Sequence, residues 1–310
     1  MAAGAFWPAA RIILLGGVIL DHNTLKQNTA RLSIFSNTAL VIFKLAVGLA
    51  GGAVSIVSEA AHSAVDLIAA LIAYFAVRKA AKPPDEHHAY GHGKVESLSA
   101  AIEAALIVLA ALWIVYEAVD KLTAGHTPAY LEYGIAVMAV SILVNWYVSG
   151  RLMKVAHETR SHALEADALH LKADIWTSCG VLGGLVVIKI TGLTWLDPAI
   201  AIVVAAFVFK AGYDMTKKSL YELTDVSLPP EEEEIIANIL TAHPAILAFH
   251  QLRTRRSGSL RLIDVHVILR RDMHLDAAHA VCDEVEASLE VSLSPCEATI
   301  HLEPCTCPDK

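Results

Sequence analysis

Six apolar runs of about 20 residues, near 32–53, 56–78, 97–120, 131–152, 163–191 and 196–216, constrain this chain more than any other feature. Each is long enough to cross a hydrocarbon layer of about 30 Å as a helix. Composition agrees: 55% of the 310 residues are apolar, above the roughly 45–50% of soluble domains, and mean hydropathy is +0.51. An ordinary soluble enzyme and a disordered chain are both excluded. A net charge of −8 excludes a nucleic-acid binder held by bulk positive charge. The stretch from Ala9 to Leu20 is apolar but too short to span. It has neither a basic flank nor a small-x-small cleavage site, so it reads as an interfacial or poorly ordered leader and not as a signal peptide.

Lysine and arginine in the connections set the orientation. Eleven of them, from Lys26 to Lys218, fall on one side of a six-span arrangement, and only Lys121 and Lys189 on the other. Both termini are therefore expected in the cytoplasm. The expected domains are a leader over 1–30, a membrane domain over 31–220 and a cytoplasmic domain over 221–310.

Charge rises sharply after Val226. Residues 226–310 hold 21 of the 56 charged side chains. Leu228-Pro229-Pro230 ends the last membrane helix, and Glu231 to Glu234 open an amphipathic one with an acidic first turn, expected to be a solvated face. Strand patterns over Ala248–Arg255 and Leu260–Leu269, a helix over Leu275–Leu289 and a strand over Ala298–Leu302 complete a small αββαβ domain of the α+β class. The five cysteines include no CxxC pair, and they read as free thiols on the cytoplasmic side. Cys305-Thr-Cys307 could touch a metal, but two adjacent soft ligands alone make a weak site, and an inert exposed tail is the expected reading.

Polar residues inside the apolar runs carry the chemistry. His62 precedes Asp66 by four residues in the second run, and His170 precedes Asp174 by four in the fifth, so each pair shares a helix face. At 1.5 Å per residue, Asp66 and Asp174 both lie about 18–21 Å from the cytoplasmic edge, near mid-membrane. Two facing pairs form a tetrahedral N₂O₂ set suited to Zn²⁺. One such pair could equally be a local hydrogen bond, but two at matching depth favour a shared site, since buried ionisable groups in a membrane are costly. Glu59 and Glu103 are either helper carboxylates or interfacial groups.

With Tyr90-Gly-His-Gly-Lys94-x-Glu96, Phe249-His-Gln-Leu-Arg-Thr-Arg-Arg-Ser-Gly258 and Ile300-His-Leu-Glu-Pro304, these pairs make the chain resemble the cation diffusion facilitator family over roughly residues 31–305. That family consists of six-span divalent-metal/proton antiporters. The resemblance implies a V-shaped homodimer, a metallochaperone-like (ferredoxin-like) cytoplasmic domain, and a transport site of His62, Asp66, His170 and Asp174. His62, where some bacterial members have Asp, resembles the zinc-selective version. Asp85, His88 and His92 resemble the family's loop site, although the same loop could be a solvated polar turn. Lys94 and Asp225 resemble a charge interlock at the dimer interface. His250, His266, His279 and His301 with Glu303, where the family more often has Asp, resemble a binuclear zinc site of the cytoplasmic domain that bridges two subunits. His157, His162, His243 and His274 lack such company and read as surface histidines.

The expected function is efflux of divalent metal, Zn²⁺ first and Fe²⁺ or Mn²⁺ as alternatives, in exchange for protons across the inner membrane. The expected partners are a second copy, the bilayer, divalent cations and protons, with no organic cofactor. An enzyme is not expected: His157-Glu158 with His162 has the wrong spacing for a zinc-protease HExxH, and no P-loop is present. A metal-sensing membrane scaffold without transport is the remaining competitor.

Overall fold

The computed structural model describes the backbone of residues 12–15, 18–51, 54–124, 131–191 and 196–305. Side chains at 12–21, 51–59, 61–62, 121–134, 181 and 184–197 lie outside the description, and so do those of Lys121 and Lys189. The chain divides into two compact units between Leu220 and Tyr221.

The first unit is helical. Six long helices follow one another: α1 (His22–Gly51), α2 (Val54–Ala80), α3 (Lys94–Ala124), α4 (Leu131–Thr159), α5 (His162–Thr191) and α6 (Leu196–Leu223). Among the described residues, His22–Ala50, Lys94–Asp120, Ile135–Thr159 and Pro198–Leu223 are long and apolar enough to cross a membrane. The other two helices, α2 and α5, carry the His/Asp motifs. Small side chains let the helices approach closely, as packing in lipid demands: Ala69, Ala70, Ala73, Ala100, Ala104 and Ala166 are fully buried. A methyl group on Gly212 of α6 would meet Val108 of α3 at 2.9 Å, and one on Gly180 of α5 would meet Val204 of α6 at 2.7 Å. Phe35, Phe75, Trp113, Trp146 and Phe207 point outward, where acyl chains would cover them.

Two expectations change. The leader forms a short antiparallel pair, β1 (Ile12–Leu15) with β2 (Val18–Asp21), consistent with its β-branched residues and with a run too short to span. Helix α1 starts at His22, ahead of the apolar run, because its first turns are buried: Leu25 packs in the bundle core, and Lys26 Nζ donates to Glu96 Oε1 of α3 at 2.9 Å. Ser161, in the α4–α5 turn, donates to the other oxygen of Glu96. One carboxylate thus ties together three chain segments at this end of the bundle. In the same turn Arg160 adopts φ 51°, which lets α5 fold straight back on α4.

The second unit has the order α7 (Pro230–Ala242), β3 (Ala248–Ser257), β4 (Leu260–Leu269), α8 (Leu275–Leu293), β5 (Cys296–Pro304), an αββαβ domain. Strand order is β3-β4-β5, antiparallel then parallel. Both helices cover one face of the sheet: Ile236 and Leu240 of α7 and Val285 and Leu289 of α8 pack on Ile263, Val265, Val267 and Leu269 of β4. The alternate residues of β4, His266 among them, point to the opposite face. The acidic start of α7 is more than a solvated face. Glu232 accepts from Arg256 and from Arg261, whose side chain is buried, and Glu233 accepts from Thr254 at 2.6 Å. A buried guanidinium needs such partners, so these carboxylates pin α7 to the sheet.

Candidate metal centres

Within the bundle, Asp66 of α2 and His170 and Asp174 of α5 each bring one ligand atom within 4.8 Å of the others. Asp66 and His170 are buried, and Asp174 is half-buried. His170 Nε2 lies 3.1 Å from Asp66 Oδ1, while its Nδ1 is buried with no hydrogen bond among the described residues. Three of the four residues expected at this site thus come together from α2 and α5. The fourth, His62, stands one turn before Asp66 on α2, and its side chain lies outside the described residues, as does that of Glu59. Asn37 of α1 donates to the Asp66 carbonyl at 3.4 Å, and Lys44 of α1 donates to Ser63 Oγ at 2.8 Å, so α1 holds the ligand-bearing turn of α2 from behind.

Sequence reasoning missed Asp167. Together with His170 and Asp174 it forms an i, i+3, i+7 stripe on α5, and that spacing was the available signal. Asp167 and Glu103 of α3 are both fully buried. Ser99 donates to Glu103 Oε1 at 3.0 Å, whereas Glu103 Oε2 and both Asp167 carboxylate oxygens have no hydrogen bond among the described residues.

The loop between α2 and α3 gathers a second group: Asp85, His88 and His92 also place ligand atoms within 4.8 Å of one another. Asp85 Oδ1 accepts from the backbone amides of His87 and His88 and lies 3.0 Å from His88 Nδ1. The His88 side chain first, and then these amides, hold the Asp85 carboxyl below its ordinary value. His92 Nε2 is 3.3 Å from Asp85 Oδ2. His92 is only 3% exposed, and neither ring nitrogen makes a hydrogen bond among the described residues. Such orphaned nitrogens beside a carboxylate are what a metal would satisfy.

The third group lies on the sheet face turned away from the helices. His250 is the register partner of His266, and His266 of His301, so three imidazoles form a row across β3, β4 and β5. Ring centroids are 5.1 Å apart for the first pair and 4.5 Å for the second. Glu303 bridges the row: Oε2 is 3.0 Å from His250 Nε2, and Oε1 is 2.8 Å from His266 Nδ1 and 4.0 Å from His301 Nε2. Contacts with His266 and then His250 hold its carboxyl below the ordinary value. His250, His266 and Glu303 meet the 4.8 Å criterion. A bulge after His250, with Gln251 at φ 50°, bends β3 at this point.

The remaining expected residues fall elsewhere. His279 is on α8, exposed, with Asp283 at 3.9 Å. Its helix packs on the face opposite the histidine row, so it does not join that row within one chain. Asp225 has Arg255 at 3.4 Å, and Lys94 is the first residue of α3 in the other unit. His162 is buried near Glu165 and is not a surface histidine. Cys179, Cys282 and Cys296 are free thiols, and Cys307 lies outside the described residues. Burial and Glu290 push the Cys296 thiol up to about 12, which removes it as a ready metal ligand.

A bundle of apolar helices enclosing a buried carboxylate–imidazole group, followed by a small sheet domain with a second such group, defines the class: a multi-pass membrane protein that handles cations. Comparison with known proteins gives the family. The cation efflux transmembrane domain matches residues 30–224, and the cation efflux protein cytoplasmic domain matches 228–305. An uncharacterized transporter of Synechocystis sp. is 34% identical over 276 residues, covering 89% of each chain. The cation-efflux pump FieF of Yersinia pestis is 30% identical over 267 residues, 86% of this chain and 89% of that one. The solved Zn form of CzrB covers 28% of this chain and 99% of its own at 36% identity, with a TM-score of 0.24. The chain belongs to the cation diffusion facilitator family and is a cation efflux transporter.

Proposed function

We propose that this protein exports Zn²⁺ from the cytoplasm in exchange for protons by alternating access. It works as a homodimer in the inner membrane with both termini cytoplasmic. The observation that carries this reading is the buried group of Asp66, His170 and Asp174, with His62 one turn away on α2. Two imidazoles and two carboxylates match the donor preference of Zn²⁺ better than that of a hard cation.

Proton coupling follows from the ligands. Metal binding needs neutral imidazole and ionised carboxylate, so protons compete for the same lone pairs. Facing the cytoplasm, the deprotonated group captures the ion. Facing outward, protons arriving at His62 or His170 displace it, since histidine titrates near neutral pH. Moving a divalent ion out against an inside-negative potential costs about 4.6 kcal/mol per 100 mV, and each proton returned recovers about half of that. Asp167, one turn to the cytoplasmic side of His170 on α5, and the buried Glu103 of α3 place further carboxylates along the way in.

In the cytoplasmic domain, His250, His266, His301 and Glu303 would hold resident Zn²⁺, as would Asp85, His88 and His92 at the cytoplasmic mouth. Bound there, the metal supplies a cross-link between strands or between loop segments. Lys94 and Asp225 lock the two subunits together.

The test is metal flux into proteoliposomes under an imposed pH gradient, with Zn²⁺, Fe²⁺ and Mn²⁺ assayed in parallel. Asp174→Ala should abolish both zinc flux and the accompanying proton movement. Unchanged flux in that variant would overturn the site. Flux of Fe²⁺ or Mn²⁺ in preference to Zn²⁺ would overturn the cargo, and an inert wild type would leave a sensing scaffold.

A further inference from the structure

Helices α1 and α4 leave an apolar groove of about 350 Å³ on the surface of the bundle. Its walls include Leu32, Phe35 and Phe43 of α1 and Val140, Val144 and Tyr147 of α4. Phe35 and Tyr147 are 74% and 63% exposed. The two helices run antiparallel along it. Leu25 and Ala30 of α1 share a buried cluster with Leu152 and Val155 of α4, whereas Val47 packs on Val137 at the other end.

Helical spacing determines what stands at the Leu25 end. Arg31 precedes Phe35 by four residues and Arg151 follows Tyr147 by four, so both extend the groove walls by one turn. Both are exposed, and neither meets a carboxylate among the described residues. Among the described residues Arg31 meets Asn28 Oδ1 at 3.5 Å and Tyr74 of α2, by its hydroxyl and by its ring at 5.8 Å, none of them an anion. Two guanidinium groups without a counter-charge, in a chain of net charge −8, flank one mouth of an otherwise apolar slot.

We propose that this groove binds an anionic phospholipid of the cytoplasmic leaflet, one acyl chain along the walls and the phosphate against Arg31 and Arg151. Guanidinium matches phosphate in geometry and charge, and basic sites between helices at the cytoplasmic surface attract anionic head groups. The leaflet rests on the orientation proposed above; the class of lipid rests on the arginines alone. The ligand has a mechanical role as well. It fills the seam behind the part of α1 from which Asn37 and Lys44 hold the ligand-bearing turn of α2, so lipid occupancy braces the transport site.

The experiment is native mass spectrometry of the full-length protein taken from vesicles containing phosphatidylglycerol and phosphatidylcholine in equal amounts. Wild type should retain phosphatidylglycerol in preference. Arg31→Gln with Arg151→Gln should weaken that retention on the order of 30-fold. Ala39→Trp, which fills the groove and leaves both arginines, should displace the lipid, while Lys79→Gln with Lys82→Gln, an equal loss of charge at the end of α2, should not. Equal retention of the two lipids by wild type, or equal loss in the α2 pair, would show general charge attraction and overturn the proposal. An unaffected Ala39→Trp would overturn the seating of the chain. Cross-linking of Ala39→Cys to a second copy would give the groove to the dimer instead. The wild-type preference needs no substitution and no transport, so neither a misfolded variant nor a failed transport reading spares the proposal.

Discussion

The bundle group and the sheet group use the same two side-chain types and achieve opposite things with them. Asp66, His170 and Asp174 come from two separate helices, and their geometry exists only while α2 and α5 face each other. His250, His266, His301 and Glu303 sit on hydrogen-bonded neighbours in one sheet, half-exposed or exposed, and the strand ladder holds them in register whatever occupies them. A site that must load and unload is best built across elements that can move. A site that must hold is best built on elements that cannot. Burial sharpens the contrast. In the bundle an uncompensated charge is costly, whereas on the sheet face water can share the load.

The comparison breaks most easily at Asp66. Asp66→Asn should lower zinc flux in proteoliposomes by about 100-fold or more, because outer-shell changes alone cost metal sites 10–100-fold; flux within tenfold of wild type would remove Asp66 from the path. On the sheet, His266→Ala in the full-length protein should weaken the calorimetric zinc titration about 10- to 100-fold while flux at saturating zinc holds. An unaltered titration would reduce the histidine row to packing. The loop group, with Asp85 and His88 exposed and only His92 buried, should lie below both in effect. His88→Ala removes an exposed contact, so flux at limiting zinc should fall by no more than about fivefold, and a larger drop would make the loop an obligatory step. The smallest change should come from Glu303→Asp, which keeps the carboxylate on the same strand face and should leave the zinc stoichiometry intact.

Periodicity in the sequence carries most of the scaffold. Runs of apolar residues place α2 to α6 closely, and the alternation in Leu260–Leu269 assigns both faces of β4. The His-x-x-x-Asp spacing anticipates the meeting of α2 and α5 because a helix face is a local property. Contacts between distant segments are less legible. Nothing near Lys26 announces Glu96, 70 residues away, and the early start of α1 depends on that pair. Glu232 reads as one of four solvated acids until Arg256 and Arg261 arrive from the sheet. His279 differs again: a histidine count cannot tell that its helix covers the opposite face of the sheet, so that only a second chain could bring it to such a row. Asp167 was legible in principle, since its spacing to His170 is as regular as the motif itself.

The histidine row also ties any metal bound there to the register of the strands. Side chains on a strand alternate between faces, so a slip of β3 or β5 by one residue against β4 turns its histidine toward the helices and takes it out of reach. A domain with misaligned strands would therefore have no grip on the ion, while a properly aligned one would be held by it. Any ion that this row held would thus proofread the sheet, favouring the one strand alignment that keeps the histidines together.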